Sequence, residues 1–280
     1  MSDAEHRLPA GFLFSQHSLN TYSRCKRRFW LRYVARLPWP VPEGDDPLEY
    51  EAHLERGRVL HQWIQRHLVG LPVLARAGDD ELQAWWHRYL GFDWSILPSG
   101  LREPELPVIV ALGGHRLYAR YDLAAVDPGG RVVVVDWKTL GSVPSLATLA
   151  TLERRVQTRV YLYTLARTAS SLLDGEVVAP DRISMLYWFA TRPEEPVWVR
   201  YDAQAFEADA LRLEAMMTEI AQQPRAAFTR TERLAQCAHC NYRTLCERDA
   251  LPAAVSGDAD WLDEELAAAL DLADIPEVPY

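Results

Sequence analysis

An α/β fold, a central mixed β-sheet flanked by helices, follows from three features of this sequence: short β-branched runs, longer segments of helical period between them, and turn-forming clusters that separate the two. Strands are expected at 106–111, 116–126, 131–138, 182–190 and 196–201. Helices are expected at 18–35, 49–69, 79–90, 147–172 and 203–222, with a Pro-rich joint over 38–47. The runs Tyr118 to Val126 and Arg131 to Lys138 are joined by Asp127-Pro128-Gly129-Gly130, a composition that turns a chain tightly, so these strands should form an antiparallel hairpin. Val132-Val133-Val134-Val135 is continuously apolar instead of alternating, which predicts a strand covered on both faces.

At 280 residues, 49% hydrophobic and 25% charged, the chain can bury a large core and does not have the composition of a disordered one. It contains no internal repeat. No basic leader followed by an apolar segment opens it, and no stretch of about 18 apolar residues occurs, so neither a membrane span nor secretion is expected and the compartment should be a reducing cytoplasm. Four segments are expected: a helical N-terminal region (1–104), a sheet core (105–202), a helix followed by a cysteine segment (203–250) and an acidic tail (251–280). Eight acids and no Lys or Arg stand in that tail, so the net charge of −9 leaves only −1 for the body. Nucleic-acid binding would then depend on local clusters such as Arg24-Cys25-Lys26-Arg27-Arg28 and Arg154-Arg155, and would weaken with salt.

The chemistry-bearing residues collect on the hairpin. Asp122 lies on its first strand; on its second, the two-residue period puts Asp136 and Lys138 on one face and Trp137 on the other. Two carboxylates and an ammonium on adjacent strands suit a hard cation and an oriented water, which is what phosphodiester hydrolysis requires; a strand end emerging into solvent is the plainer alternative. Lys26 and Lys138 are the only lysines beside 28 arginines, which marks position 138 as one that calls for a compact ammonium rather than a planar fork. Gln157 and Tyr161, four apart on the following helix, share a face. Arg154, Arg155 and Arg159 beside them either follow a phosphate backbone or form a solvated face.

Asp122, Asp136-Trp137-Lys138 and Gln157-x-x-x-Tyr161 together resemble the PD-(D/E)XK nuclease superfamily, and within it the RecB-like branch. Gly57-Arg58-Val59-Leu60-His61 is similar to that branch's Gly-x-x-x-His helix motif, and Glu105-Leu106-Pro107 to the acidic residue that often opens the strand before the first Asp. The family's Gly shortly before that Asp is missing here, where the chain reads Tyr118-Ala119-Arg120-Tyr121. The resemblance implies a restriction-endonuclease-like core. It also implies Mg²⁺ or Mn²⁺ held by His61, Asp122, Asp136 and the Trp137 carbonyl, with Lys138 acting on the attacking water. Gln157 and Tyr161 would hold Lys138, that water or the scissile phosphate.

Four cysteines complete the pattern: Cys25 alone, then Cys237-x-x-Cys240 and Cys246. Four thiolates suffice for a tetrahedral zinc or for a 4Fe-4S cubane, and spacing does not separate the two. The split of one distant and three clustered cysteines resembles the iron–sulfur RecB-like nucleases, namely the CRISPR-associated exonuclease family and the C-terminal domains of AddB-type helicase–nucleases. Ser18 to Phe29 looks like their N-terminal helix. The resemblance implies a 4Fe-4S cluster that clips the two ends of the domain together, closing a loop of 212 positions and coupling loading to folding. It further implies a DNA exonuclease acting on single-stranded ends or overhangs, with CRISPR adaptation proteins or a DNA-repair complex as partners. A non-cleaving DNA-end-binding scaffold is the reading from another class. In the tail, Trp261, Leu262, Leu266, Ala269, Leu270 and Ala273 recur at helical spacing, which suits a helix packed on its own domain, docked on a partner or shielding a basic groove.

Overall fold

The computed structural model describes residues 8–38, 47–73, 78–139, 151–237 and 240–248. Most of the Pro-rich joint, the expected helix start at 147 and the acidic tail lie outside them. The chain opens with β1 (Leu13–Ser15) and α1 (Gln16–Arg24), where Ser15 and Ser18 exchange side-chain and backbone hydrogen bonds in a capping box. The single helix expected over 18–35 is in fact interrupted. Cys25 adopts an extended backbone, φ −157° and ψ 109°, and its Sγ accepts from Arg28 N at 3.4 Å, so the thiol caps a second helix, α2 (Lys26–Phe29). A π-helical turn over Trp30–Val34 follows.

Next come α3 (Pro47–Leu68), α4 (Asp80–Leu90), β2 (Arg102–Leu112), β3 (His115–Val126), β4 (Val132–Lys138), α5 (Val156–Thr168), β5 (Ile183–Phe189), β6 (Val197–Arg200) and α6 (Ala203–Gln222). The turn after Val126 does make β3 and β4 an antiparallel hairpin. The helix expected over 147–172 is broken at Arg155, whose φ −58° and ψ 141° interrupt it; Thr158 Oγ1 donates to Leu152 O across the break. Gln157 therefore stands in the first turn of α5 instead of mid-helix.

Strand pairing decides where the site can be. A strand has two edges, and β3 gives one to β2 along its whole length, from Arg102↔Ala125 to Leu112↔His115. Two strands share the other: parallel β1 reaches Tyr118, and antiparallel β4 begins at Leu123. Residues 119–122 of β3 face the gap between them. β5 runs parallel to β4, with α5 in the crossover, and antiparallel β6 follows as the edge strand.

Both faces of the sheet are covered. Val132 and Val134 enter a core with Leu19 of α1, Val160 and Leu162 of α5 and Met217 of α6. Val133, Val135 and Trp137 enter a second core with Leu60 and Trp63 of α3 and Trp85, Trp86 and Tyr89 of α4. The continuous valine run is thus buried on both sides, as its pattern predicted. Alternation fails at one place on β3: Tyr121 faces the first core and Leu123 the second, so the strand changes phase at Asp122.

Candidate active site

The catalytic candidates converge where β3 and β4 part. Hairpin pairing stops at Leu123↔Val135, and the bond that the ladder would make next is replaced by a side chain: Trp137 N donates to Asp122 Oδ2 at 2.8 Å. On the face turned toward α5, Lys138 Nζ lies 2.9 Å from Asp136 Oδ2 and donates to Gln157 Oε1 at 3.3 Å, while Gln157 Nε2 donates to Asp136 Oδ1 at 2.7 Å. Gln157 therefore bridges the acid and the base, which the break at Arg155 makes possible. Asp136 and Lys138 are 3% and 6% exposed, so their mutual attraction acts with little screening by water.

From the other side of the sheet end, α3 brings His61 Nδ1 to 3.6 Å from Asp122 Oδ2. Glu105 joins them: ligand atoms of His61, Glu105 and Asp122 all lie within 4.8 Å of one another. Pro104↔Leu123 and Leu106↔Tyr121 flank Glu105 on β2, which places it opposite Asp122, and its φ of +52° breaks the regular ladder there. Glu105 lies outside the ligand set that the motif implies; cross-strand register brings it beside His61 and Asp122. Arg120 Nε holds the same carboxylate at 3.3 Å.

The ionisation of this group shows its strain. Burial alone would lower the His61 pKa, but Asp122, Glu105 and Asp136 outweigh it and push it up to about 9. Burial raises Asp122, yet His61 and the Trp137 N–H bring it below the usual carboxylate range. Asp136 is raised, by burial and by the neighbouring Asp122 charge, against the pull of Lys138. The two carboxylates and the imidazole of Glu105, Asp122 and His61 could hold a hard divalent cation, and Asp136 Oδ2 on the neighbouring strand makes no aligned hydrogen bond.

Tyr161 stands elsewhere than its motif suggested. It is 3% exposed and its hydroxyl donates to Arg120 O at 2.7 Å, filling the gap in the β3 ladder, while Gln16 Nε2 donates to it at 2.9 Å. Gln16 was invisible to sequence reasoning because 145 positions separate the pair. The Trp137 ring packs among Tyr89, Phe92 and Trp188 on the far face. Arg159 is engaged with buried Asp209 of α6 at 3.6 Å, so it does not line a phosphate track.

The thiols form a second centre. Cys25, Cys237, Cys240 and Cys246 line one pocket with Arg24, Arg28, Arg230, Arg243 and Arg248, and Arg248 donates to Cys237 Sγ at 2.8 Å. Burial and the other thiols raise the pKa of Cys246. Burial likewise raises Cys240, which Arg28 partly opposes.

With the Asp122, Asp136 and Lys138 geometry in place, the family model described as the PD-(D/E)XK nuclease superfamily matches residues 13–247. The chain belongs to the PD-(D/E)XK nuclease superfamily. Its mixed sheet with flanking helices is the restriction-endonuclease-like fold of that superfamily, whose members act on DNA with divalent metals. No curated protein matches this chain. Among solved structures, a Eubacterium rectale protein provisionally assigned as an exonuclease is similar over 74% of this chain and 79% of its own, at 9% identity and TM-score 0.48. Another, SSO0001, is similar over 84% of this chain and 85% of its own, at 14% identity and TM-score 0.38. Among the described residues no helix is long and apolar enough to cross a membrane.

Proposed function

We propose that this PD-(D/E)XK protein is a metal-dependent DNA exonuclease of the RecB-like type that acts on single-stranded ends or overhangs. The observation that carries the reading is the pairing, at the end of the β3–β4 hairpin, of a His61–Glu105–Asp122 group with the Asp136–Lys138–Gln157 network. His61, Glu105, Asp122 and Asp136 would hold Mg²⁺ or Mn²⁺, which when bound polarises the phosphoryl oxygen and makes water more acidic. Lys138 Nζ, fixed by Asp136 and Gln157, orients the attacking water and sets positive charge beside the oxygens that become negative. Gln157 keeps Asp136 and Lys138 in register by donating to one and accepting from the other. Tyr161, by tying the Arg120 carbonyl, positions the strand that carries Asp122.

The four thiols in an Arg-lined pocket support a stabilising 4Fe-4S cluster, since the guanidinium groups offset the negative charge that a thiolate-ligated centre carries. The resemblance of the cysteine pattern to CRISPR-associated exonucleases supports a role in spacer acquisition, with a DNA-repair assembly as the other setting. Anaerobic purification with an iron count and a visible spectrum, followed by Mn²⁺-dependent cleavage of end-labelled single-stranded DNA, tests the whole reading. Brown protein whose cleavage falls by about 10³-fold or more in Asp136→Ala is the expected result. A zinc-loaded wild type that binds DNA ends without cutting would replace it with the scaffold reading.

A further inference from the structure

A groove of about 830 Å³ lies at the end of the sheet opposite the catalytic cleft, outside everything the nuclease motifs account for. Arg131 precedes β4, Arg182 precedes β5 and Arg200 ends β6, so three separate segments bring guanidinium groups to one concavity. Trp198 lines it as well, and Arg131 Cζ stands 5.5 Å from the Trp198 ring centroid. The side chains of Arg182 and Arg200 are exposed and, among the described residues, form no hydrogen bond or ion pair. Two acids face the same groove. The carboxylate of Asp202 accepts from Ala205 N at 2.7 Å as the cap of α6, and Asp181 is exposed. Three guanidinium groups thus exceed the two carboxylates.

A half-buried indole, packed on the second core, beside the two unengaged arginines has the chemistry of a single-strand track: a planar edge for bases and guanidinium forks for phosphates, with Arg131 tied to Ile96 O at 3.0 Å. Position matters too. β4 runs from the groove at Val132 to Lys138, so six residue steps place the groove about 20 Å from the catalytic ammonium.

We propose that this groove binds single-stranded nucleic acid at a distance from the cut, with Arg182 and Arg200 on phosphates and Trp198 stacked on a base. The proposal rests on the nuclease reading and names where a strand longer than the catalytic cleft is held. Its consequence is length dependence: short oligonucleotides meet the cleft alone, and longer ones gain the groove.

Fluorescence anisotropy in EDTA, with labelled single strands of about 4 and about 30 nucleotides bracketing common single-strand site sizes, reads this on the full chain. Arg182→Glu with Arg200→Glu should weaken binding of the longer strand by about tenfold or more and flatten its salt dependence by about 1.4 in log–log slope, as two lost phosphate contacts require. Cleavage of the short strand should not change. Trp198→Leu, which keeps an apolar side chain on β6, should weaken the longer strand by about fivefold or more. Wild-type affinity for the longer strand in all variants overturns the proposal and leaves the nuclease reading standing. A wild type that neither binds nor cleaves single strands overturns both. Equal loss on duplex and single strand, with no effect of Trp198→Leu, overturns the single-strand assignment.

Discussion

The candidate active site and the thiol pocket both gather charged or potentially metal-ligating side chains, but they are held together by different means. In the cleft, Asp122 and Asp136 leave strands of one sheet, and backbone pairing up to Leu123↔Val135 determines their separation before any ligand arrives. Gln157 and the Trp137 N–H then fix the carboxylates. In the pocket, Cys25 stands at a break between two helices, and the other thiols stand in or beside single 3-10 turns, Leu234–Cys237 and Thr244–Cys246, which no sheet supports. A site built on a ladder is preorganised, whereas one built on short turns takes much of its order from what it binds.

The largest expected effect breaks the comparison on the thiol side. With the proposed cluster bound, Cys240→Ser should lower the thermal midpoint on the order of 10 °C, measured by scanning calorimetry under anaerobic conditions, because the loop that begins at Cys25 would lose one of its clips. Mn²⁺ titration of the folded variant below that midpoint should still find the carboxylate site intact; an unchanged midpoint would mean that the thiols bind no stabilising centre.

A second effect sharpens the comparison on the catalytic side. His61 has a folded pKa of about 9, above its ordinary 6.5, so the stability contributed by its proton is full below 6.5 and lost as pH rises through about 9. A cation held by His61, as proposed, would have to displace that proton. Apparent Mn²⁺ affinity, followed by calorimetric titration, should rise by up to about tenfold per pH unit between those values, and His61→Asn should remove the slope.

Smaller still, Glu105→Gln should weaken Mn²⁺ binding by about tenfold with little change in thermal midpoint, since the residue is a donor at a bend and not part of a core. Unaltered Mn²⁺ affinity would remove Glu105 from the ligand set.

Much of this was legible in the chain itself. The Asp127 to Gly130 turn specified the hairpin, and the two-residue period put Asp136 and Lys138 on one face. Gly57 to His61 and the cysteine spacing marked their positions through resemblance. The local breaks were not legible: Cys25 and Arg155 sit in runs of helical period, and both were expected inside continuous helices. Helical pattern reports which residues are apolar, whereas a thiol cap or a side-chain bond to a carbonyl six residues back decides whether the helix continues.

The sequence by itself determined the sheet-and-helix class, the doubly covered β4 and the identity of the carboxylate, ammonium and thiol groups, because these depend on residue type and on periods of two and 3.6. Only the tertiary structure decided that Glu105 stands across from Asp122, that Gln16 and Tyr161 close the gap beside Arg120, and that Arg159 belongs to Asp209. Glu105 depends on the register of β2 along the first edge of β3 and Arg159 on the packing of α5 against α6, while the gap beside Arg120 depends on which strands compete for the second edge of β3. That competition is settled by packing between segments far apart in the chain, which no local pattern records.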